Sequence, residues 1–134
     1  MDDALKAKLL WGRRNAVAMR VVTQFCFAAE PVIDWLRRFE TAFDEPVRIG
    51  IAGPANPATL LKFAMRCGVG NSMRALQSQM GRFTRLLTET APDEVVDGLR
   101  RASAERRIRA APGFHIFPFG GIRAAMRWID ARKG

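Results

Sequence analysis

The chain has 134 residues, of which 49% are hydrophobic and 26% are charged, and this composition predicts one soluble globular domain. Nine Phe and three Trp need burial, which excludes a disordered tail, and no apolar run approaches the roughly 18 residues of a membrane span. The acidic first residues are unlike a secretory signal, and two cysteines are too few for a disulfide scaffold or a zinc finger. We therefore expect a cytoplasmic protein with reduced thiols.

The net charge of +9 predicts an anionic partner, which is a nucleic acid, a membrane surface or an acidic small molecule. No Asp or Glu occurs over residues 46–88, and a second basic cluster over residues 100–109 is interrupted only by Glu105. Solvated helix faces explain such clusters as readily as a binding surface does. The basic side chains of the two stretches are Arg48, Lys62, Arg66, Arg74, Arg82, Arg85, Arg100, Arg101, Arg106, Arg107 and Arg109.

Apolar spacing and capping residues predict helices that alternate with strands. Pro31 and Pro57 suit the first turns of two helices, and Asn56 suits the cap before the second of them. The last helix has an apolar stripe formed by Ile122 and Met126, with Ile129. Helices are predicted over 3–15, 31–43, 57–66, 72–87, 90–109 and from 122 onward, and strands over 19–27, 47–51 and 113–119.

This order predicts an α/β fold in which βα units form a parallel sheet. The first strand is apolar on both faces, which favours a sheet that is covered on both sides. An open sheet of three strands has two unpaired edges. A complete (β/α)8 barrel would have no such edges, but it takes at least about 200 residues. The single unit 1–134 is therefore either a small open sandwich or a partial (β/α)8 TIM barrel, with about three parallel strands and flanking helices.

In βα architectures, function collects where the strands end, which here means residues 24–27, 50–54 and 117–121. Glycines in these segments would let a ligand approach the backbone closely. A buried Gln24 would offer a donor and an acceptor to a heteroaromatic ring, or it is a polar residue bonded to a neighbour. The aromatic residues at these ends either pack in the core or form a stacking wall for a planar ligand, and they are Phe25, Phe27, Phe117 and Phe119.

Other residue types give little sign of chemistry. His115 is the only histidine and has no ligand at metal spacing, so a structural imidazole is expected. Cys26 and Cys67 belong to no catalytic motif, and we expect both to pack in the interior. The glycine pairs lack the pattern of a phosphate loop, and no two carboxylates suggest acid–base catalysis. The sequence therefore predicts no metal site and no catalytic residue.

Three segments together resemble the last part of methylenetetrahydrofolate reductase, a flavin-dependent (β/α)8 barrel. The first of them, Thr-Gln-Phe-Cys-Phe over 23–27, is the most specific. The resemblance covers nearly all of the chain, from the helix before strand six to the helix after strand eight. The segments are Val22-Thr23-Gln24-Phe25-Cys26-Phe27, Ile49-Gly50-Ile51-Ala52-Gly53-Pro54 and Phe114-His115-Ile116-Phe117-Pro118-Phe119-Gly120-Gly121.

The resemblance implies reduction of 5,10-methylenetetrahydrofolate to 5-methyltetrahydrofolate, with hydride passing from NAD(P)H to FAD and then to the folate. It implies that Gln24, Phe63 and Arg123 bind the folate and that Lys8 binds FAD. The chain departs from the family pattern in a longer gap between Lys8 and Gln24 and in the length of the turn before Arg123. Ala28 also stands where an acidic residue often follows the first motif.

The family's acidic catalytic residue lies on strand one, and most flavin contacts lie on strands two to five. The resemblance therefore implies that this chain is incomplete alone, either as a relic or as the partner of a separate N-terminal half-barrel, and that the complete enzyme is a homo-oligomer. Lys62, Arg66 and Arg74 would face the glutamate tail of a folate. The alternative is a basic module that binds nucleic acid or another polyanion, although no nucleic-acid motif is present.

Overall fold

The computed structural model describes residues 3–68, 92–109 and 112–133. Within these ranges, five helices and three strands form an α/β fold, and no helix there is long and apolar enough to cross a membrane. The predicted helix over 72–87 lies outside the described residues. The helices are α1 (Asp3–Arg14), α2 (Ala29–Glu40), α3 (Pro57–Arg66), α4 (Asp93–Ala104) and α5 (Ile122–Ala131), and the strands are β1 (Val21–Cys26), β2 (Val47–Ala52) and β3 (Gly113–Phe117).

The three strands form one parallel sheet in the order β1-β2-β3, as the alternation of helices and strands predicted. The β2–β3 register is regular from Arg48 opposite Gly113 to Ala52 opposite Phe117. All three carboxyl ends therefore lie at one edge of the sheet. The loops that follow the strands meet there.

One face of the sheet is covered by α2 and α4. Ile49 and Ile51 alternate along β2 and are fully buried against this layer, together with Ile33 and Leu36 of α2 and Leu99 of α4. Apolar residues at spacings of three and four on each helix supply this contact. A smaller cluster docks α1 at the amino-terminal end of the sheet, and its buried members are Leu9, Val21, Phe39 and Phe43.

The opposite face is covered only at its carboxyl end by the described residues. There, Leu60 and Ala64 of α3 pack with Phe25 and Ala52. Because side chains alternate along a strand, Val22 and its partner Arg48 point to the uncovered part of this face, and Val22 is 48% exposed. The prediction of a sheet covered on both sides is therefore wrong for the described part of the chain.

The helix predicted to reach residue 109 ends at Ala104. The N–H of Arg107 donates to the carbonyl of Ala102 at 2.8 Å, and the N–H of Arg106 donates to that of Ser103 at 3.0 Å. These two bonds are those of a Schellman motif, and Arg106 adopts the left-handed φ of 56° that the motif requires. Glycine usually takes this position, so the sequence carries no sign of the stop.

The stripe predicted for α5 does not face the core. Ile122 is 72% exposed and Met126 is 47% exposed, whereas Ala124 and Ala125 are buried. The small alanines permit close packing of the helix. On the side towards α4, the indole N–H of Trp128 donates to Asp93 at 3.1 Å. The prediction from apolar spacing was therefore wrong about which face of this helix is buried.

Candidate functional site

The loops after β2 and β3 pack closely against each other at glycine residues. The N–H of Gly53 donates to the carbonyl of Phe117 at 2.9 Å. A β-carbon added to Gly120 would lie 2.0 Å from the carbonyl oxygen of Pro54, so no side chain fits there. We expected these glycines to let a ligand approach the backbone closely. At Gly120, the backbone of the neighbouring loop at Pro54 occupies that space instead.

A bulge near the end of β1 shapes the position of Gln24. Val22 pairs with Arg48 and Phe25 pairs with Gly50, so two residues of β1 oppose the single Ile49. The Thr23 hydroxyl accepts a hydrogen bond from the Gly50 N–H at 2.9 Å and donates to the Gln24 carbonyl at 2.9 Å. The hydroxyl thus takes the place of the strand carbonyl that the bulge displaces.

Gln24 is exposed, and the prediction of a buried glutamine is wrong. Its side-chain oxygen Oε1 accepts a hydrogen bond from the Phe25 backbone N–H at 3.1 Å, so the bond to a neighbour expected for a polar interior residue is present although the side chain is exposed. This bond fixes the orientation of the amide. The Nε2 group has no hydrogen-bond partner among the described residues, and it is a donor available to a ligand.

Gln24 and Lys8 line the same groove. The groove has a volume of about 520 Å³ and follows the outer edge of β1 between α1 and α2. Within the described ranges, no strand pairs with this edge. The lining residues come from three elements and are Ala4, Leu5, Lys8, Val21, Val22, Thr23, Gln24, Phe25, Cys26, Pro31, Val32 and Trp35.

Phe63 belongs to an aromatic cluster beside this groove. Its ring stacks on Phe119, with the centroids 4.3 Å apart and the planes at 20°. Phe119 in turn contacts Phe25 edge to face at 4.9 Å. Phe25 is only 1% exposed, whereas Phe63 and Phe119 are half-buried. The inner rings therefore pack in the core, and the outer pair presents a planar apolar surface.

Arg123 lies in the first turn of α5 and is exposed. In the part of the chain that the structure describes, no hydrogen bond, ion pair or ring contact joins it to the other predicted site residues. The structure thus brings Lys8 and Gln24 into one groove, and it leaves Arg123 outside that groove. The Arg123 guanidinium remains available to an anion that approaches the same end of the sheet.

His115, which we expected to be a structural imidazole, lies on β3 opposite Gly50, is exposed, and has its ring centroid 4.8 Å from that of Phe117. It is not among the residues that line the groove. Residues 3–68, 92–109 and 112–133 contain no group of three potential metal ligands.

The cysteines differ in burial. Cys26 is buried, its thiol donates to the Gly50 carbonyl at 3.4 Å, and burial raises its pKa to about 12. A neutral thiol of this kind is a poor nucleophile. Cys67 is exposed, so the prediction that it packs in the interior is wrong. Neither position adds chemistry to the groove.

The groove and the aromatic pair together suit binding more than proton transfer. They offer one oriented amide donor, one cation and a planar apolar surface, which fit a heteroaromatic ligand that also carries anionic groups. Among the residues that the structure describes, no carboxylate lines the groove. No protein-family model matches the sequence.

Proposed function

We propose that this chain supplies the folate side of a methylenetetrahydrofolate reductase-like (β/α)8 barrel, in which FAD mediates reduction of 5,10-methylenetetrahydrofolate by NAD(P)H. The observation that carries the proposal is the location of Gln24 and Phe63 at the carboxyl end of a parallel sheet. Active sites of (β/α)8 barrels lie at this end. The resemblance of the three segments assigned the same two residues to the folate.

The arrangement of the sheet supports the barrel. Consecutive strands are neighbours, and the crossover helices α2 and α4 lie on the same face. When each right-handed crossover leads to the next strand on the same side, all crossover helices lie on one face of the sheet. This is the arrangement found in (β/α)8 barrels. A doubly wound sheet is covered by helices on both faces, whereas here α3 covers the second face only at its carboxyl end. In the proposed barrel, the uncovered face is the interior and the free edge of β1 meets strand five.

The residues have complementary roles in this proposal. The Nε2 group of Gln24 donates to an acceptor on the pterin edge, while the bond from Phe25 holds the amide in place. The outer face of the Phe63–Phe119 pair packs on the folate ring system. Arg123 attracts the anionic end of the folate from the start of α5.

The fit to FAD rests on Lys8, because strand five of the proposed barrel would occupy the part of the groove that runs along the β1 edge. Lys8 is exposed, lies in the same groove as Gln24, and would hold an anionic part of the cofactor by charge. Bound FAD would carry the hydride from the nicotinamide to the folate. The described residues contribute binding and orientation to that chemistry.

The proposal is tested by ligand binding to the chain coexpressed with a segment that supplies strands one to five. Gln24→Glu retains the acceptor for the Phe25 N–H but loses the amide donor, so we expect it to weaken 5-methyltetrahydrofolate binding about tenfold. Lys8→Ala should weaken FAD binding, whereas its neighbour Lys6→Ala should not, because Lys6 lies outside the groove. Unchanged folate affinity in Gln24→Glu would contradict the assignment.

A further inference from the structure

The amino-terminal end of the sheet carries a basic hollow. It lies where α2 and α4 end and has a volume of about 550 Å³. Two of its lining residues, Glu40 and Arg109, also lie beside Val47 and Gly113, the first residues of β2 and β3. We call this feature the arginine hollow, and its lining is Arg37, Glu40, Arg106, Arg107, Ile108 and Arg109.

Two of the four arginines are held by carboxylates. Arg107 forms a two-bond pair with Glu30, at 3.1 and 2.6 Å, and this pairing lowers the pKa of the Glu30 carboxyl. Arg109 forms an ion pair with Asp44, and its backbone N–H donates to the Glu40 carboxylate at 2.9 Å. These bonds fix the loop after α4 against α2. The positions of Arg107 and Arg109 in the lining of the hollow are therefore held by these bonds.

The other two arginines have no such partner. Neither Arg37 nor Arg106 forms a hydrogen bond or ion pair through its side chain with any residue that the structure describes. They come from different elements, α2 and the loop after α4, and yet line the same hollow. Their positive charges are therefore available to a ligand from two sides.

Arg106 also occupies a position that favours glycine. Its φ of 56° is the left-handed conformation of the Schellman motif, which disfavours residues with a β-carbon. An arginine there carries a conformational penalty that a glycine would avoid. A strained residue at the rim of a concave surface is typical of sites where the side chain has a function.

We propose that the arginine hollow binds an oligophosphate group, carried by a free polyphosphate or by a nucleotide. Guanidinium groups bind phosphate oxygens in pairs, and two unpartnered guanidiniums on one small hollow suit adjacent phosphates. The hollow lies at the opposite end of the strands from Gln24 and Phe63. Binding there is independent of the function proposed for the groove.

The test is calorimetric titration of the full chain with tripolyphosphate at low salt. The variant Arg37→Ala/Arg106→Gly removes both free charges and leaves a glycine that suits the left-handed φ. The control Arg38→Ala/Arg127→Ala removes the same charge outside the hollow. We expect about a tenfold loss of affinity in the first variant and less than about twofold in the control. Equal losses, or no binding by the unmodified chain, would overturn the proposal.

Two further ligands identify the source of the phosphates. A nucleoside triphosphate that binds more tightly than tripolyphosphate, and loses affinity in the same variant, would make a nucleotide the ligand. Equal affinity for the nucleoside triphosphate and for tripolyphosphate would mean that the hollow recognises the phosphates alone. Single-stranded DNA whose affinity rises with length, and falls equally in both double variants, would instead show a diffuse nucleic-acid surface and overturn the proposal.

Discussion

Thr23 stabilises the bulge of β1 with its hydroxyl, which accepts the N–H of the buried Gly50. Thr23→Val keeps the shape of the side chain but leaves that N–H without an acceptor. We expect the free energy of unfolding to fall by about 1 to 2 kcal/mol. Denaturant titration measures the change, and Thr23→Ser, which retains the hydroxyl, is the control. Equal stability of the Val variant would mean that the bulge does not depend on this bond.

The two thiols should react at very different rates. Burial raises the pKa of Cys26 to about 12, so almost none of it is thiolate at pH 8, whereas Cys67 is exposed. A chromogenic disulfide reagent should modify one thiol quickly in the native protein and the second only on unfolding. Cys67→Ser should abolish the fast phase. A fast phase that persists in this variant would contradict the burial of Cys26.

Gly120 governs how the loops after β2 and β3 pack. A β-carbon at this position would meet the Pro54 carbonyl, which is backbone and cannot swing away. We expect Gly120→Ala to lower the free energy of unfolding by about 1 to 3 kcal/mol. Gly68→Ala is a poor match because of its positive φ, so Gly113→Ala, where an added β-carbon has an ordinary contact, is the control. Thermal unfolding of both variants distinguishes the two sites.

Helix α1 is bonded to the loop before β2 through Arg13. Its guanidinium hydrogen-bonds the Glu45 carboxylate at 2.6 and 3.0 Å, and this holds the pKa of Glu45 below its usual range. The stability from this pair is fully present above the unfolded pKa of about 4.3, and it is lost as pH falls through the lower folded value. Arg13→Gln should therefore flatten the acid limb of the stability profile.

Arg14→Gln is the matched control for this pH dependence. Arg14 is adjacent in α1, is exposed, and forms no ion pair with a described residue. Its replacement should leave the slope of stability against pH unchanged between about pH 3 and 5, the range that contains the carboxyl pKa values. Equal slopes in the Arg13 and Arg14 variants would mean that the Glu45 pair does not link α1 to folding.

The sequence predicted the ends of helices well where one capping residue determines where the helix begins. Asn56 caps α3 as expected, with its side-chain oxygen accepting the Thr59 N–H at 2.8 Å. The end of α4 was missed because an arginine takes the place of the usual glycine at position 106. The exposure of Ile122 was missed because periodicity identifies an apolar stripe but not the neighbour that buries a helix.

The candidate site was predictable to the same limited degree. Its location followed from the rule that function collects at the carboxyl ends of parallel strands. The exposure of Gln24 did not follow, because it depends on a bulge that one hydroxyl stabilises. The contact between Phe63 and Phe119 also depends on how two loops pack at Gly120, which is a tertiary event that residue spacing does not encode.

The described residues build a parallel sheet whose second face is covered by a helix only at its carboxyl end. Helices α2 and α4 bury one face, while Val22, Arg48 and His115 lie on the other, exposed to solvent. The edge of β1 also has no strand beside it within the described ranges. An uncovered sheet face and a free strand edge of this kind favour a partner that completes the sheet. Within the proposed barrel, that partner is the set of strands one to five.

The most direct measurement is the absorbance spectrum of the chain, purified alone and after coexpression with a segment that supplies strands one to five. We expect flavin absorbance only in the coexpressed sample, with Lys8→Ala reducing it, because Lys8 lines the groove along the β1 edge at which the proposed barrel would be completed. A folded, colourless protein in both samples would contradict the proposed barrel.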